Sequence, residues 1–577
     1  MKLVKFLISN FRGISGDVDF PGVEIDFDDI NLIFLIGQNN TGKSSVLSAY
    51  EYFVKSNTPA EEGDFHNQND KPISIEAWIE AENDSDFEHQ AMKTSMNPET
   101  GIARFRKVWN NKNEKGIKYT YNFKEEKWAE GGGGGFDSIL QNACPEPIWL
   151  KGLDSVELVL EKVQKLVKEK VLDNASELER FKYIKTELEE LRREVMATDF
   201  SQKVEGRLND LMQETFPDLS VSLFGEEKDD LGKKLSNFIN TDIRFSNQGF
   251  PVHMSNHGHG IRRQFLFNAL RGLNHVFSEL EKSKKQRDDE VIENIDQISA
   301  QHKKKMLLIE EPELFLHPQS IRMFTDVLYE LSEGSEFQIM AATHSPIIVD
   351  LSRDHTTLLR TKMEKNGEIK LHQVRNNIFD ENEKERLKML NSFNPYVCEA
   401  FFNENVILVE GDTEAIIYRR LIDKFVEKEK IKLINAPLVV NCGSKMNIPS
   451  FQKVLRHFGI EYFVIHDLDH TFNKNGTQNA AWALNEKIYN EILEYDNSVK
   501  ARRFIMERNF ESAHQYEYKS SLGKPLSAYR LVDDWDIDDT SIPAIHALHA
   551  CLNFTRDFAD FDQEWVNARK SSATQEV

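Results

Sequence analysis

Three groups of residues have types and spacings that could do chemistry. The first is Gly37-Gln38-Asn39-Asn40-Thr41-Gly42-Lys43-Ser44. Its glycines let backbone N–H groups curl around phosphate oxygens, Lys43 neutralises the outer phosphates, and the Ser44 hydroxyl ligates Mg²⁺. The second is Glu310-Glu311, which ends the apolar run Met306-Leu307-Leu308-Ile309. One carboxylate there can hold a metal (Glu310) and the other polarise an attacking water (Glu311). The third is split between Glu410-Gly411-Asp412-Thr413-Glu414 and Asp467-Leu468-Asp469, each following an apolar run. If a helix starts near Asp412, Glu410 and Glu414 face one point. An extended chain puts Asp467 and Asp469 on one side. Four acids at one sheet edge make an oxygen-rich site for a hard cation, and two such ions can clamp a phosphodiester for attack by water.

Two further segments accompany the first two groups. Ser255-Asn256-His257-Gly258-His259-Gly260 precedes an amphipathic run over 261–276, so Ser255, Gly258 and Gly260 form a candidate anion site at a helix start. Ala342-Thr343-His344-Ser345-Pro346 sets His344 just past an apolar run, within reach of a γ-phosphate.

These groups need strands and helices to position them. Apolar runs predict strands over 2–9, 31–36, 73–81, 103–108, 306–311, 337–343, 357–360 and 369–374. The last two flank Asn366-Gly367, a hairpin signal. A helix is expected over 44–55 and a glycine-rich loop over Gly131–Gly135. Val156, Leu160, Val163, Val167 and Val171, then Leu178, Phe181, Leu188, Leu191 and Val195, predict a helical hairpin over 154–196. A polar helical linker is expected over about 380–398. A second α/β unit follows, with strands over 405–409, 436–440 and 462–466, and the last 60 residues read as helical.

The order Asn10-Phe11-Arg12, phosphate loop, Ser255–Gly260, Glu310-Glu311-Pro312-Glu313, Thr343-His344-Ser345-Pro346 resembles the ATP-binding cassette heads of DNA-repair and chromosome-maintenance ATPases, over about residues 1–355. That resemblance implies an ATP-linked homodimer in which the signature of one subunit completes the site of another. The second unit looks like a TOPRIM domain. That resemblance gives Gly443-Ser444-Lys445 the place of a family glycine-lysine turn, adds Glu507 and Glu511 to the metal shell, and lets Lys524 neutralise the transition state. The two halves together, over residues 1–525, resemble the OLD (overcoming lysogenisation defect) family, to which Gabija nuclease subunits and OLD-type retron effectors belong.

The fold class expected is α/β: an ABC-type P-loop ATPase domain with a helical insertion, an α/β TOPRIM domain and a helical C-terminal segment. The layout is 1–150 and 241–380 for the ATPase, 151–240 for an insertion that could dimerise, 381–403 for a linker, 404–515 for TOPRIM and 516–577 for the helical end. The resemblance implies ATP, Mg²⁺ or Mn²⁺, a DNA substrate, a homodimer or higher homo-oligomer, and antiphage defence beside a reverse transcriptase with non-coding RNA, or a helicase. A topoisomerase-like or primase-like enzyme and an ATP-dependent sensor or scaffold with an inactive TOPRIM are the alternatives.

The chain has 577 residues, three or four domains' worth at roughly 150 each. Apolar residues are 40%, enough for sizeable cores, which excludes wholesale disorder. Cys144, Cys398, Cys442 and Cys551 form no CxxC pair, so neither a disulfide framework nor a zinc site is expected. No signal peptide or membrane span is legible, and a cytoplasmic protein is expected. Lys plus Arg is 72 against 95 for Asp plus Glu, a net charge of −23. That balance argues against phosphate-binding surfaces at large, so DNA is expected to approach on local basic ground such as Arg502-Arg503 and Lys519.

Overall fold

The computed structural model describes residues 1–55, 58–82, 96–130, 144–151, 183, 187, 245–247, 250–252, 304–314, 316–334, 337–350, 353, 355–364, 366–374, 378–473, 475–495, 500–515, 521–553 and 561–573. They fall into two compact units, one of 1–152 with 303–577 and one of 153–302. The helical hairpin over 154–196 (Tyr183 and Glu187 apart), Gly131–Gly135, Ser255–Gly260 and Lys519 lie outside the described residues.

The first unit begins with an antiparallel sheet. Its strands are β1 (Lys2–Ser9), β2 (Val23–Asp26), β4 (Ile73–Glu80), β5 (Ile102–Trp109), β6 (Ile117–Asn122) and β7 (Lys127–Glu130), in the order β2-β1-β4-β5-β6-β7. A second sheet holds β3 (Leu32–Ile36), β8 (Glu146–Leu150), β11 (Lys305–Glu310), β12 (Phe337–Ala342), β13 (Leu358–Met363) and β14 (Ile369–Gln373), in the order β14-β13-β3-β12-β11-β8. Only β14 runs antiparallel to its neighbour. Every residue of β3 and β12 is buried, as continuous apolar strands of a two-sided parallel sheet should be.

Helix α1 (Lys43–Val54) lies between the two sheets. It buries Val46, Leu47, Tyr50 and Phe53 in one core with Phe6 and Ile8 of β1 and Leu35, Leu308 and Met340 of the second sheet. Each such side chain contributes about 1.5–3 kcal/mol of burial. Helix α2 (Pro318–Glu333) starts with Pro318 behind a His317 cap and buries Ile321, Phe324, Val327, Leu328 and Leu331. In the other unit, β9 (Phe245–Asn247) and β10 (Phe250–Val252) pair antiparallel.

Helix α3 (Glu381–Phe393) opens with a capping box between Asp380 and Glu383. The helix expected to reach residue 398 stops earlier, and Pro395–Phe402 is a 3₁₀ segment, because proline cannot continue the α-helical ladder. The third sheet follows, all parallel, in the order β16-β15-β17-β18. Its strands are β15 (Asn405–Val409), β16 (Leu438–Asn441), β17 (Glu461–Asp467) and β18 (Ala501–Met506). Helices α4 (Asp412–Glu427), α5 (Ile448–His457) and α6 (Ala480–Leu493) cross between them. Helices α7 (Phe510–Ala513), α8 (Gly523–Asp533), α9 (Pro543–Asn553) and α10 (Gln563–Ala573) end the unit.

Two differences from the sequence reading have clear reasons. The strand expected to include Glu311 stops at Glu310, because Glu311 turns to φ +48°. Strand β8 was not expected; it contains Pro147, which lacks a donor, and β8 tolerates it because among the described residues it is the edge of the sheet, paired with β11. All four cysteines are buried free thiols. Among the described residues no helix is long and apolar enough to cross a membrane.

Candidate functional site

Strand β3 delivers the phosphate loop and α1 receives it. Gly37 has φ +140°, and a Cβ there would lie 2.3 Å from the Thr361 carbonyl oxygen. Gly42 has φ +85° and caps α1. Glycine is required at both, because an L side chain disfavours that backbone. Asn39 and Asn40 are exposed on the turn, with Asn40 at φ +63°. Thr41 Oγ1 donates to the Gln38 carbonyl at 2.8 Å. Lys43 Nζ donates to the carbonyls of Gly37 at 2.9 Å and Gln38 at 2.6 Å. Burial lowers Lys43 to about 8 against the opposing pull of Glu313 and Glu311. Ser44 Oγ donates to Glu310, so the two proposed Mg²⁺ ligands of this site meet directly.

Glu313 is the residue that organises the far side. Its carboxylate accepts from Thr343 Oγ1 at 2.9 Å and from the His344 amide at 2.7 Å. It thereby fixes the turn after β12. Burial and then the Lys43 ammonium lower His344 to about 4, so its imidazole is neutral near pH 7.

The second site sits at the C-terminal ends of β15 and β17. Gly411 caps α4, which begins at Asp412. Glu410 Oε1 accepts from the Asp467 amide at 2.7 Å. Burial, then Glu410, Glu414 and Asp469, raise Asp467 to about 9. Burial likewise raises Glu410 to about 7, with Lys445 and the Asp467 amide opposing. Glu414 is also raised, chiefly by burial. Asp469 lies beyond the end of β17 at φ +65°, so the extended spacing expected of Asp467 and Asp469 is replaced by a turn. Lys445 bridges that turn. Its buried ammonium donates to the Asp467 carbonyl and, at 2.7 Å, to Asp469 Oδ2. A cleft of about 650 Å³ opens over Glu410, Glu414, Lys445 and Asp469, with Ala481 and Lys487 of α6 on its other wall.

The outlying residues divide. Glu511 acts on Glu414 and takes Lys524 Nζ at 2.7 Å; burial pushes its carboxyl up, and Lys524 outweighs that, leaving it lowered. Glu507 is exposed and accepts from Arg569 Nε at 3.1 Å. Arg503 is no basic ground for DNA. It is 4% exposed and donates to the carbonyls of Phe561 and Asn485, because β18 is buried there.

The donor set is all oxygen and half-buried, and carboxyl oxygens suit a hard divalent cation in their chemistry. Among the described residues, no three acidic, histidine or cysteine side chains are gathered closely enough to hold an ion. Lys445 supplies the positive charge instead.

Residues 1–130 with 154–349 match the family model of the AAA ATPase domain, and 401–469 match that of the overcoming lysogenization defect protein-like TOPRIM domain. The chain belongs to the AAA ATPase domain family and carries an OLD-like TOPRIM domain. The Old nuclease of Escherichia phage P2 is 24% identical over 482 residues, covering 76% of this chain and 74% of that protein. The OLD nuclease of Thermus scotoductus is 30% identical over 165 residues, 28% of this chain and 30% of its own. Endonuclease GajA of Bacillus cereus is 22% identical over 580 residues, covering 94% and 90%. The chain is thus an enzyme that joins an ATPase domain to a TOPRIM endonuclease domain.

Sequence reasoning gave no role to Glu313, Arg360 or Thr361. Glu313 had a signal in the Glu-Glu-Pro-Glu run, whereas Thr361 meets Thr41 from a strand with no motif of its own.

Proposed function

We propose that the chain is an ATP-regulated, divalent-metal-dependent DNA endonuclease acting as a homo-oligomer. The observation that carries this reading is the set Glu410, Glu414, Asp467 and Asp469, whose carboxyls perturb one another at one sheet edge. It lies in the same compact unit as a phosphate loop tied to Glu310. The nuclease names of the relatives support DNA as substrate.

Glu410, Glu414, Asp467 and Asp469 would draw together to hold Mg²⁺ or Mn²⁺, since they are not gathered around an ion here, with Glu511 beside them and Glu507 further out. Bound ions would lower the pKa of the attacking water and offset charge on the scissile phosphate. Lys445 in the cleft, and Lys524 paired with Glu511, would supply positive charge where phosphate oxygens arrive. In the ATPase, Lys43 and the loop amides would hold the phosphates, Ser44 and Glu310 would take the cation, Glu311 would orient water, and neutral His344 would hydrogen-bond the γ-phosphate. Ser255, Gly258 and Gly260 complete the site of a second subunit. The family resemblance supports a role in antiphage defence, with a reverse transcriptase and non-coding RNA or a helicase as partner.

Nicking of supercoiled plasmid by the full chain, in Mg²⁺ or Mn²⁺ with and without ATP, tests this. Metal-dependent nicking that is lost in Glu410→Ala and Asp467→Ala, with ATP binding retained, is the expected result. Undiminished nicking by both variants would sink it, and relinked topoisomers or primers would move the chain to another reaction class. The seat of Lys445 among the acids favours a second reading, a nucleotide sensor with an inactive TOPRIM. Titration of Mn²⁺ into the full chain and into Asp467→Ala separates the two, since an inactive TOPRIM leaves the two titrations alike and a working one loses binding in the variant.

A further inference from the structure

Arg360 lies on β13, opposite Ile36 of β3 at the mouth of the phosphate loop. It is 1% exposed, and its guanidinium leaves the ATPase sheet. Nε donates to the Phe401 carbonyl at 3.0 Å and Nη2 to the Asn403 carbonyl at 2.9 Å. Nη1 donates to the carbonyls of Phe458 at 3.0 Å and Gly459 at 3.3 Å. These four acceptors belong to two short segments. Residues 401–403 lead into β15, which ends just before Glu410, and 458–459 lead into β17, which ends at Asp467. One guanidinium therefore holds the entrances of the two strands whose far ends deliver the metal-site acids. A strand of five to seven residues spans ~17–23 Å, so the Arg360 contacts and the acids sit at opposite ends of the same two strands.

The neighbouring β14 seats on the same place. His372, opposite Arg360 in the β13–β14 pair, fills the space over Gly459, where a Cβ would meet its ring at 2.3 Å. The residue after Arg360 faces the other way, as alternation along a strand requires. Thr361 Oγ1 lies 2.6 Å from Thr41 Oγ1 of the phosphate loop and donates to the Ile36 carbonyl at 3.2 Å. Consecutive residues of β13 thus touch the nucleotide loop and the segments that lead into β15 and β17.

A buried guanidinium bonded to carbonyls is a costly way to glue two layers, because apolar packing would do so without desolvating a charge. Its fixed fork of donors does hold four oxygens in one geometry. We propose that Arg360 is a positioning residue: displacement of the phosphate loop passes through Thr361 and β13 to Arg360, and from there along β15 and β17 to Glu410 and Asp467. This rests on reading the chain as an ATP-regulated nuclease.

The test uses the full chain, with Arg360→Lys and Thr361→Val as variants. Hydrogen exchange is followed over 401–409 and 458–467, and plasmid nicking in Mn²⁺ is measured, each with and without a non-hydrolysable ATP analogue. In the parent protein the analogue should change both. In the variants it should still bind, the exchange response should vanish, and the ratio of nicking rates with and without it should fall to about one, which is zero coupling. Variants that fold and respond as the parent does overturn the inference. If Arg360→Lys does not fold, Thr361→Val decides, since it removes one hydroxyl with its contacts to Thr41 and Ile36 and leaves the Arg360 bonds in place. A parent that shows the exchange response but never nicks DNA sinks the nuclease reading and keeps the coupling. A parent that nicks DNA with no response of either kind to nucleotide sinks the coupling alone.

Discussion

The carboxylate of Glu410 accepts the main-chain amide of Asp467 at 2.7 Å, so the acid that follows β15 is anchored to the strand bearing the next two. The Glu410 carboxylate is thereby held in place before any cation or phosphate arrives, which lowers the reorganisation that binding demands of it.

Glu410→Gln separates placement from charge. A glutamine oxygen can still accept the Asp467 amide, so the local structure should persist. Nicking should fall at least about 100-fold, as loss of a charged metal ligand implies. Nucleotide binding at the phosphate loop should not change. Plasmid nicking beside a nucleotide-binding titration checks both halves.

The acids also set a pH dependence. Burial and neighbouring charge raise Asp467 to about 9 and Glu410 to about 7, so the folded chain holds protons that the unfolded chain releases. Their contribution to stability is full below the ordinary carboxyl range and is lost as pH rises through about 7 and then about 9. Asparagine at 467 cannot ionise. In EDTA, Asp467→Asn should therefore gain stability over the parent as pH climbs from 5 to 9, on the order of a few kcal/mol. Thermal melts across that range, with Mn²⁺ added back to the parent, measure the effect; parallel curves for the two proteins contradict it.

Glu313→Ala removes the acceptor shared by Thr343 and His344. Leaving a hydroxyl and an amide unpaired should cost about 1–3 kcal/mol of stability. A displaced His344 should slow ATP hydrolysis by as much as about 100-fold. Unchanged hydrolysis in a variant with the expected loss of melting temperature would assign Glu313 a structural role only.

His344 should titrate far below an ordinary imidazole, near 4. Its contribution to stability is full above the usual histidine value and is lost as pH falls toward 4. Histidine-labelled NMR gives the midpoint directly. A value in the ordinary range near pH 6.5 would contradict the effect of burial and Lys43 on the ring.

Much of the site was legible because its parts are contiguous. A phosphate loop, Glu310-Glu311 and the acids at 410–414 and 467–469 each lie within a few residues, behind apolar runs that become β3, β11, β15 and β17. Arg360 was not legible, because main-chain carbonyls are its acceptors and those carry no residue-type signature. Arg503 was misread for the opposite reason. A charge in sequence carries no sign of whether its strand faces solvent, and this one lies under Phe561 and α6.

The phosphate-loop strand has a further consequence, for biosynthesis. Strand β3 pairs with β12 and β13, which follow it in the chain by about 300 residues. At ~5–20 residues per second, Leu-Ile-Phe-Leu-Ile leaves the ribosome ~15–60 s before either neighbour exists. Through that interval only the N-terminal sheet, α1 and β8 can shield it, while the insertion between β8 and β11 is still being made. Fragments that stop before residue 337 should be sticky, and expression of the nucleotide site as a separate domain needs both ends of the ATPase. The site is synthesised early and assembled late.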